Sequence, residues 1–253
     1  RLAMAKWMIE NGSDVHQGGD GPLMRAAQQE RIPMMELLVA HGANVNAEWH
    51  GEYPIIYSAC EAVDAVALKW LLEHGANPNC DNLTRTYPDT ALDYVIGSYV
   101  RSPELRACID LLAEAGCRTK CPAPVLDVLR NDLDGLFQRL DAYPALVHEQ
   151  FPTLDFGTTG ARMLTLRGAT LLHVAAEYRN VEVMGLLFAR GADANARAAV
   201  NESGVGGQTP LFHAVTQRED GGLPAVRLLL DHGADLSTRA KVPGHYERPN
   251  EVL

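Results

Sequence analysis

A short phrase recurs six times along this chain and constrains its fold more than any other feature. The phrase consists of two apolar residues, two variable residues, Gly, and usually a small residue followed by Asp or Asn. Successive phrase glycines are 30, 33, 41, 75 and 42 residues apart, which a base unit of 33 residues explains if loops are inserted and one degenerate unit lies in the widest gap. Such a period predicts a linear array of small units that bury their apolar faces against each other. The phrase glycines are Gly12, Gly42, Gly75, Gly116, Gly191 and Gly233.

The phrase is typical of the end of an α-helix. The apolar pair closes a buried helical face, and Gly follows at the position where a positive φ is favourable only for Gly. We expect Gly42→Ala or Gly75→Ala to cost on the order of 1 kcal/mol, because the left-handed conformation tolerates Cβ poorly. His41, His74 and His232 precede phrase glycines, where a His side chain can bind the last helical carbonyls.

A second phrase, which marks the start of a helix, precedes the glycine phrase by about one helix pair. In its clearest copy, Thr209 is a favourable N-cap and Pro210 suits the first helical position. In the copy that begins at Thr170, His173 stands where a side chain can reach back to the cap, as Glu does in a capping box. Weaker copies begin at Gly21, Tyr53 and Thr90.

A 33-residue unit with this start and a Leu-Leu-x-x-Gly-Ala-Asp end resembles the ankyrin repeat. The resemblance covers about residues 1–120 and 168–236. It implies an all-α fold, an ankyrin-type α-solenoid of antiparallel helix pairs with β-hairpin or turn fingers. We expect about six to seven repeat units, among them one degenerate unit and a long hairpin insertion.

The repeat pattern is interrupted in the middle of the chain. Residues 123–140 fit two short helices with apolar faces but lack the Gly-Ala-Asp ending, so we interpret them as the degenerate unit. Residues 151–168 contain two short alternating runs that predict a hairpin finger. The expected organisation is ankyrin repeats with an incomplete first unit over 1–120, the degenerate repeat and finger insertion over 121–167, and ankyrin repeats with a C-terminal loop over 168–253, all in one continuous solenoid.

Composition and charge disfavour several classes of function. The 253 residues include 22 Lys and Arg against 32 Asp and Glu, a formal net charge of −10 that repels nucleic acid. No apolar run approaches the roughly 18 residues needed to span a bilayer, and the five cysteines do not suggest a disulfide scaffold. We therefore expect a monomeric cytoplasmic protein with neither a membrane nor a nucleic-acid partner.

The sequence shows no motif for catalysis or for binding a cofactor or metal. Phosphate-binding, nucleophile-elbow and zinc-protease motifs are absent. Cys108, Cys117 and Cys121 lack a second ligand pair, so reduced cysteines are favoured over a partial metal site. Asp132 and Asp134 are interpreted as solvated charges that flank a helix rather than as an acid–base pair. We expect no catalytic residue, no cofactor and no metal.

The ankyrin resemblance implies a concave binding side that first helices and hairpin tips line. The candidates are positions late in a first helix or just before one, together with positions in the fingers. Trp49 and Tyr87 are the most informative, since exposed aromatic residues at a turn are favoured anchors, although each ring packing on its own finger is an equal alternative. The acidic candidates predict a protein partner with a basic surface. The candidate partner-binding residues are Gln28, Gln29, Glu52, Glu61, Asp89, Glu177, Tyr178, Gln208 and Gln217 of the helical groups, and Trp49, His50, Asp81, Tyr87, Arg197 and Asn201 of the fingers.

Three functional hypotheses follow. The first is a non-enzymatic scaffold that binds a protein partner. The second is a targeting segment of a larger multidomain effector, toxin or enzyme, because residues 1–16 supply only the second helix of a unit and the far end lacks a polar cap. The third and weakest is an enzyme with a site in the 141–168 insertion, which the absence of a nucleophile–base pair disfavours.

Overall fold

The structure, a computed structural model, describes residues 1–80, 90–98, 101–154, 164–217 and 219–241. The described residues form short helices and one small hairpin. The chain divides into two compact units, Arg1–Lys120 and Cys121–Leu253.

The first unit is a series of helix pairs layered in chain order. The helices are α1 Leu2–Glu10, α2 Gln17–Ala27, α3 Ile32–Ala40, α4 Ile56–Ala62, α5 Ala65–Glu73, α6 Ala91–Ile96 and α7 Pro103–Glu114, and the hairpin consists of β1 Glu48–Trp49 and β2 Tyr53–Pro54. The first helices α2, α4 and α6 pack against one another in that order, and each also packs on the second helix of its own pair, α3, α5 or α7. The remaining helix, α1, packs on α3.

The second unit repeats this arrangement. The helices are α8 Ala123–Arg130, α9 Leu133–Ala142, α10 Leu171–Glu177, α11 Val181–Ala189, α12 Pro210–Val215 and α13 Leu223–Asp231, with 3₁₀ turns at Pro144–His148 and Glu219–Gly222. The first helix α10 packs between α8 and α12, and the second helix α11 packs between α9 and α13. All seven residues of α10 are buried, so this helix is the core of the unit. The two helices expected at 123–140 are therefore present as α8 and α9.

The helix ends predicted from the glycine phrase are confirmed. Gly42 and Gly75 have φ values of +100° and +86°, in the left-handed region. His74 Nδ1 lies 2.7 Å from the carbonyl oxygen of Trp70, one turn back, so this side chain binds the helix end as expected. The predicted capping box is also present at the start of α10. The all-α fold class expected from the sequence is confirmed.

An asparagine four residues after three of the phrase glycines joins neighbouring repeats. Asn46 Nδ2 donates to the Gly75 carbonyl oxygen at 2.8 Å, and Asn46 Oδ1 accepts from the Asn77 N–H at 2.7 Å. Each bridge satisfies a carbonyl at a helix end and an amide in the following turn, both of which lack a partner within the helix. The same two bonds join Asn79 to Gly116 and Arg118, and Asn195 to Gly233 and Asp235.

The helices in the described ranges are too short or too polar to cross a bilayer. In the same part of the chain, no three His, Cys, Asp or Glu side chains are grouped so that they could hold a metal ion. The five cysteines, all of which lie in the described residues, form no disulfide. Burial raises the pKa of the Cys60 thiol well above its usual value and that of Cys108 to about 12, which keeps both protonated and unreactive.

Candidate functional site

An open cavity of about 450 Å³ lies in the first unit, between two successive first helices and the hairpin. A concave surface with both aromatic and polar side chains is the usual form of a binding site. Three of its residues, Gln28, Trp49 and Glu61, are candidates from the sequence. We call this site the hairpin cavity, and its lining is Gly21, Met24, Arg25 and Gln28 of α2, Trp49 and Tyr53 of the hairpin, and Ser58 and Glu61 of α4.

The hairpin brings two aromatic rings to the cavity. Trp49 and Tyr53 are opposite each other in the antiparallel register, so their side chains leave the same face of the hairpin. The chain reverses between them through His50 and Gly51, whose φ values are +53° and +74°. The His50 ring packs on Trp49 with 4.4 Å between ring centroids. The tip residue thus supports the indole at one edge of the cavity.

Glycines at the start of α2 allow the hairpin to approach the preceding repeat. A methyl group on Gly19, whose φ is +71°, would overlap the carbonyl oxygen of Glu48. Methyl groups on Gly18 and Gly21 would each lie 3.6 Å from the Trp49 indole, in van der Waals contact. These glycines form a floor for the indole and fix the edge of the cavity that Trp49 provides.

Trp49 both packs on its own hairpin and remains available to a partner, which were the two alternatives that the sequence left open. The ring packs on His50 of its own hairpin and on the glycine floor of the preceding repeat. Nevertheless, 38% of the residue remains exposed, and it lines the cavity. A ring that is held on one side and open on the other suits a binding anchor, because it loses little conformational entropy when a partner covers it.

Glu61 and Tyr53 form a polar pair in the cavity wall. The Tyr53 hydroxyl donates to Glu61 Oε2 at 3.2 Å. Burial, followed by the neighbouring Glu61 carboxylate, raises the pKa of Tyr53 far above its usual value, so the phenol remains a donor. Within the described residues, no cationic side chain forms an ion pair with Glu61. The Glu61 side chain is exposed, and its carboxylate is therefore not neutralised by an ion pair within the part of the chain that the structure describes.

Two further polar groups of the cavity have unused hydrogen-bonding capacity. Arg25 Nη1 donates to Gln28 Oε1 at 2.5 Å, and the Arg25 side chain makes no ion pair with another described residue. Ser58 is 1% exposed, and its Oγ has no hydrogen-bond partner among the described residues. A buried hydroxyl without a partner costs about 1–3 kcal/mol.

Other sequence candidates in the first unit lie around the cavity or outside the described residues. His50 and Glu52 are exposed in the hairpin turn, and Gln29 is exposed immediately after α2. Three candidates of the first unit lie outside the described residues: Asp81, Tyr87 and Asp89. The tip of the expected 151–168 finger, which belongs to the second unit, lies outside them as well.

In the second unit, the expectation that Glu177, Gln208 and Gln217 are exposed to a partner is wrong. Their exposed fractions are 1%, 1% and 8%. Glu177 Oε2 lies 3.0 Å from His213 Nδ1, and Gln217 Nε2 donates to the Glu177 carbonyl oxygen at 3.1 Å. Gln208 Nε2 donates to the Thr165 carbonyl oxygen at 2.7 Å. Glu177 and Gln217 are buried because the next first helix, α12, covers the end of α10, and Gln208 is buried where the segment before α12 meets the start of α10 and the segment before it. These polar groups therefore hold repeats together.

The remaining candidates of the second unit are at its surface. Arg197 is exposed, and its Nη2 donates to the Arg239 carbonyl oxygen at 2.9 Å. Asn201 is exposed, and its Oδ1 accepts from the amides two and four residues later, both at 3.0 Å. Tyr178 is half-buried at the end of α10. Arg197 and Asn201 therefore stabilise the loop that precedes α12.

Sequence reasoning missed Met24, Arg25, Tyr53 and Ser58. A signal for each of the three helical residues was available in the spacing. Met24 and Arg25 stand four and three residues before Gln28, and Ser58 stands three residues before Glu61, which places them on shared helix faces. These residues belong to the helix-start phrases, so the repeat pattern already explained their presence. For this reason the sequence offered no cause to assign them a binding role.

Comparison with known proteins gives both a curated relative and solved structures. The B-cell lymphoma 3 protein homolog of Mus musculus is 39% identical over 84 residues, which are 30% of this chain and 19% of the mouse protein. This chain therefore spans well under two thirds of that relative. The human ASB11 ankyrin repeat domain is 25% identical, with 87% of each chain covered and a TM-score of 0.44. The Bd0816 predatory endopeptidase from Bdellovibrio bacteriovorus, in complex with immunity protein Bd3460, is 19% identical over 84% of this chain and 98% of that chain, with a TM-score of 0.45.

A family model described as ankyrin repeats in three copies matches residues 1–82 and 142–240. These ranges comprise most of the chain and include the hairpin cavity as well as α10 to α13. The matched ranges also contain five of the six phrase glycines that end the second helices. This chain belongs to the ankyrin repeat family.

Proposed function

We propose that this chain binds a protein partner through the hairpin cavity and does not itself catalyse a reaction. Ankyrin repeats are generally protein–protein interaction modules, and their fold is typically non-enzymatic. The observation that carries the proposal is the combination, in one open cavity, of an exposed Trp49 ring with the charged side chains of Glu61 and Arg25, neither of which forms an ion pair with another described residue. The same surface would serve a recruiting segment of a longer protein.

The energetic argument concerns Trp49. Binding free energy at protein interfaces is concentrated in a few residues, among which Trp, Tyr and Arg predominate. Trp49 and Tyr53 are adjacent, and the glycine floor holds the indole before a partner arrives. A preformed aromatic edge of this kind gains contact area on binding at a small entropic cost.

Charge favours a partner with a basic surface. Residues 1–120 contain 10 Lys and Arg against 16 Asp and Glu, a formal charge of −6. A negative field of this kind accelerates encounter with a basic protein and repels an acidic one. Five cysteines without a disulfide scaffold suit a reducing compartment, which supports our proposal that the chain acts as a monomer in the cytoplasm.

The test compares two tryptophan variants of the full chain. Immobilised wild-type protein captures partners from a lysate, the retained proteins are identified by mass spectrometry, and the affinity of a purified partner is then titrated. Trp49→Ala is expected to weaken binding by about thirtyfold or more, the loss typical of an interface hot spot. Trp7→Ala, which truncates an exposed tryptophan of α1 outside the cavity, is the matched control and is expected to bind like the wild type.

Circular dichroism of both variants checks that helical content is unchanged. If the partner binds Trp49→Ala with wild-type affinity, the hairpin cavity is not the binding site. Equal losses in the two variants would likewise reject the assignment.

A further inference from the structure

We infer that the hairpin cavity recognises an arginine side chain of the partner, with its guanidinium bound by Glu61 and placed against the Trp49 ring. The inference rests on the proposed function and specifies the chemistry of the partner at that site. It is carried by two groups in one cavity, each of which has an unmet requirement that a guanidinium satisfies.

The first group is the Glu61 carboxylate. Its only hydrogen-bond donor within the described residues is the neutral hydroxyl of Tyr53, on Oε2. Glu48 and Glu52 on the hairpin are exposed and add to the negative charge of the first unit. A cation in the cavity therefore gains a charge-assisted hydrogen bond, which is stronger than one between neutral groups.

The second group is the aromatic edge. The Trp49 indole is partly exposed at the cavity, and Tyr53 is held beside it by its bond to Glu61. A cation near the face of an indole is attracted by the negative charge of the ring face. Because a guanidinium is planar, it can stack on a ring while its edge faces a carboxylate.

The geometry of the cation favours arginine over other side chains at these two groups. A guanidinium has five N–H donors in a fixed fork and can bind a carboxylate through two parallel bonds. A lysine ammonium is more strongly hydrated and lacks this fork, and a methionine would cover the cavity wall without giving the carboxylate a bond.

Arg25 explains why the ligand is a peptide segment rather than an isolated cation. Its guanidinium would repel a second one, but Nη1 is held by Gln28 Oε1 at the α2 wall. The remaining Arg25 donors can bind a backbone carbonyl of the segment that carries the arginine. The cavity therefore offers an anion and an aromatic ring to the side chain, and a donor to its backbone.

The probes are acetylated and amidated pentapeptides Gly-Gly-X-Gly-Gly, with X being Arg, citrulline, Lys or Met. Citrulline has the shape of arginine without its charge. Binding is followed in the ¹⁵N-labelled full chain by the indole N–H signal of Trp49, which is assigned by its loss in Trp49→Phe. We expect a saturable shift with the Arg peptide, and an affinity at least about tenfold above that of the citrulline peptide, since losing one charge-assisted bond costs about 1.4 kcal/mol or more.

A pair of glutamate variants identifies the counter-charge. Glu61→Gln is expected to abolish the preference for Arg over citrulline. Glu36→Gln removes an exposed carboxylate of α3 outside the cavity and is expected to keep the preference. A preference that survives in Glu61→Gln would overturn the inference.

The outcomes separate this inference from the proposed function. If the Met peptide binds at Trp49 as tightly as the Arg peptide, or if no probe shifts the Trp49 signal, arginine recognition is rejected. The proposed function still stands in either case, provided that the captured partner requires Trp49. It fails if partner binding is insensitive to Trp49→Ala, or if Trp7→Ala weakens binding equally.

Discussion

His173 is the best example in this molecule of a buried side chain whose protonation state is fixed by its hydrogen bonds. Its Nδ1 accepts from the Thr170 N–H at 3.1 Å, and its Nε2 lies 3.0 Å from the Gln208 carbonyl oxygen, so the neutral ring with Nε2–H satisfies both neighbours. Protonation of Nδ1 would place its N–H donor opposite the N–H donor of Thr170. Burial, followed by the nearby His213, lowers the pKa of His173 to about 3.

This pKa predicts that acid destabilises the second unit. An unfolded His has a pKa near 6.5, so between about pH 6.5 and pH 3 the unfolded chain binds a proton that the folded chain does not. The free energy of unfolding should therefore fall as the pH falls through this window, with a contribution from His173 of up to about 1.4 kcal/mol per pH unit, and His173 should contribute no slope above it. Urea unfolding of wild type and His173→Gln at pH 7 and about pH 4.5 measures this contribution. A wild-type slope no steeper than that of the variant would refute it.

Two glycines show which roles of a single residue the sequence could predict and which it could not. Gly75 has a positive φ, and a methyl group in its place would meet no heavy atom of another group within 4 Å, so its role is confined to the helix end that its phrase predicted. Gly19 also has a positive φ, but its lack of a side chain serves contact with Glu48 in the following hairpin. That contact joins residues 29 positions apart and has no local signature, so the sequence could not reveal the glycine floor.

Among the elements, the turns after α3, α5 and α11 each contain an asparagine that bridges to the next repeat. Asn195 makes two bonds to the next repeat, at 2.9 Å to the Gly233 carbonyl oxygen and at 2.7 Å from the Asp235 N–H. We expect Asn195→Ala to lower the free energy of unfolding by about 1–2 kcal/mol, because two backbone groups lose their partner. The control is Asn11→Ala, since the Asn11 amide donates only within its own repeat, to the Trp7 carbonyl oxygen, and its loss should cost no more than about 0.5 kcal/mol.

Chemical denaturation of the two asparagine variants beside the wild type gives both values. Equal effects of Asn195→Ala and Asn11→Ala would show that the bridge between repeats adds no stability.

The helices were predictable because their ends have local signals, whereas the exposure of their side chains was not. Glu61 stands late in first helix α4 and is exposed as expected, but Glu177 at the corresponding place in α10 is buried against His213. The difference arises from α12 and the residues just after it, which contribute His213 and Gln217 at the point where Glu177 would otherwise meet solvent. Contacts with the next repeat therefore decide which first-helix positions remain available to a partner.

At the scale of the whole molecule, layering in chain order keeps the candidate site local. The hairpin cavity is built from α2, the hairpin and α4, which are close together in the chain. The polar network around Glu177 belongs to the second unit and is closed to solvent. In a stack of this kind, each repeat is stabilised chiefly by its neighbours, so a partner can bind one group of repeats without engaging the rest.

Hydrogen exchange of the full chain, with and without its captured partner, tests the central claim most directly. Amides that a partner covers or stabilises exchange more slowly. We predict slower exchange in residues 18–28 and 47–61, which surround the hairpin cavity, and unchanged exchange in α10 and α12. Protection confined to residues 121–241, with the segments around the cavity exchanging as in the free protein, would contradict the account.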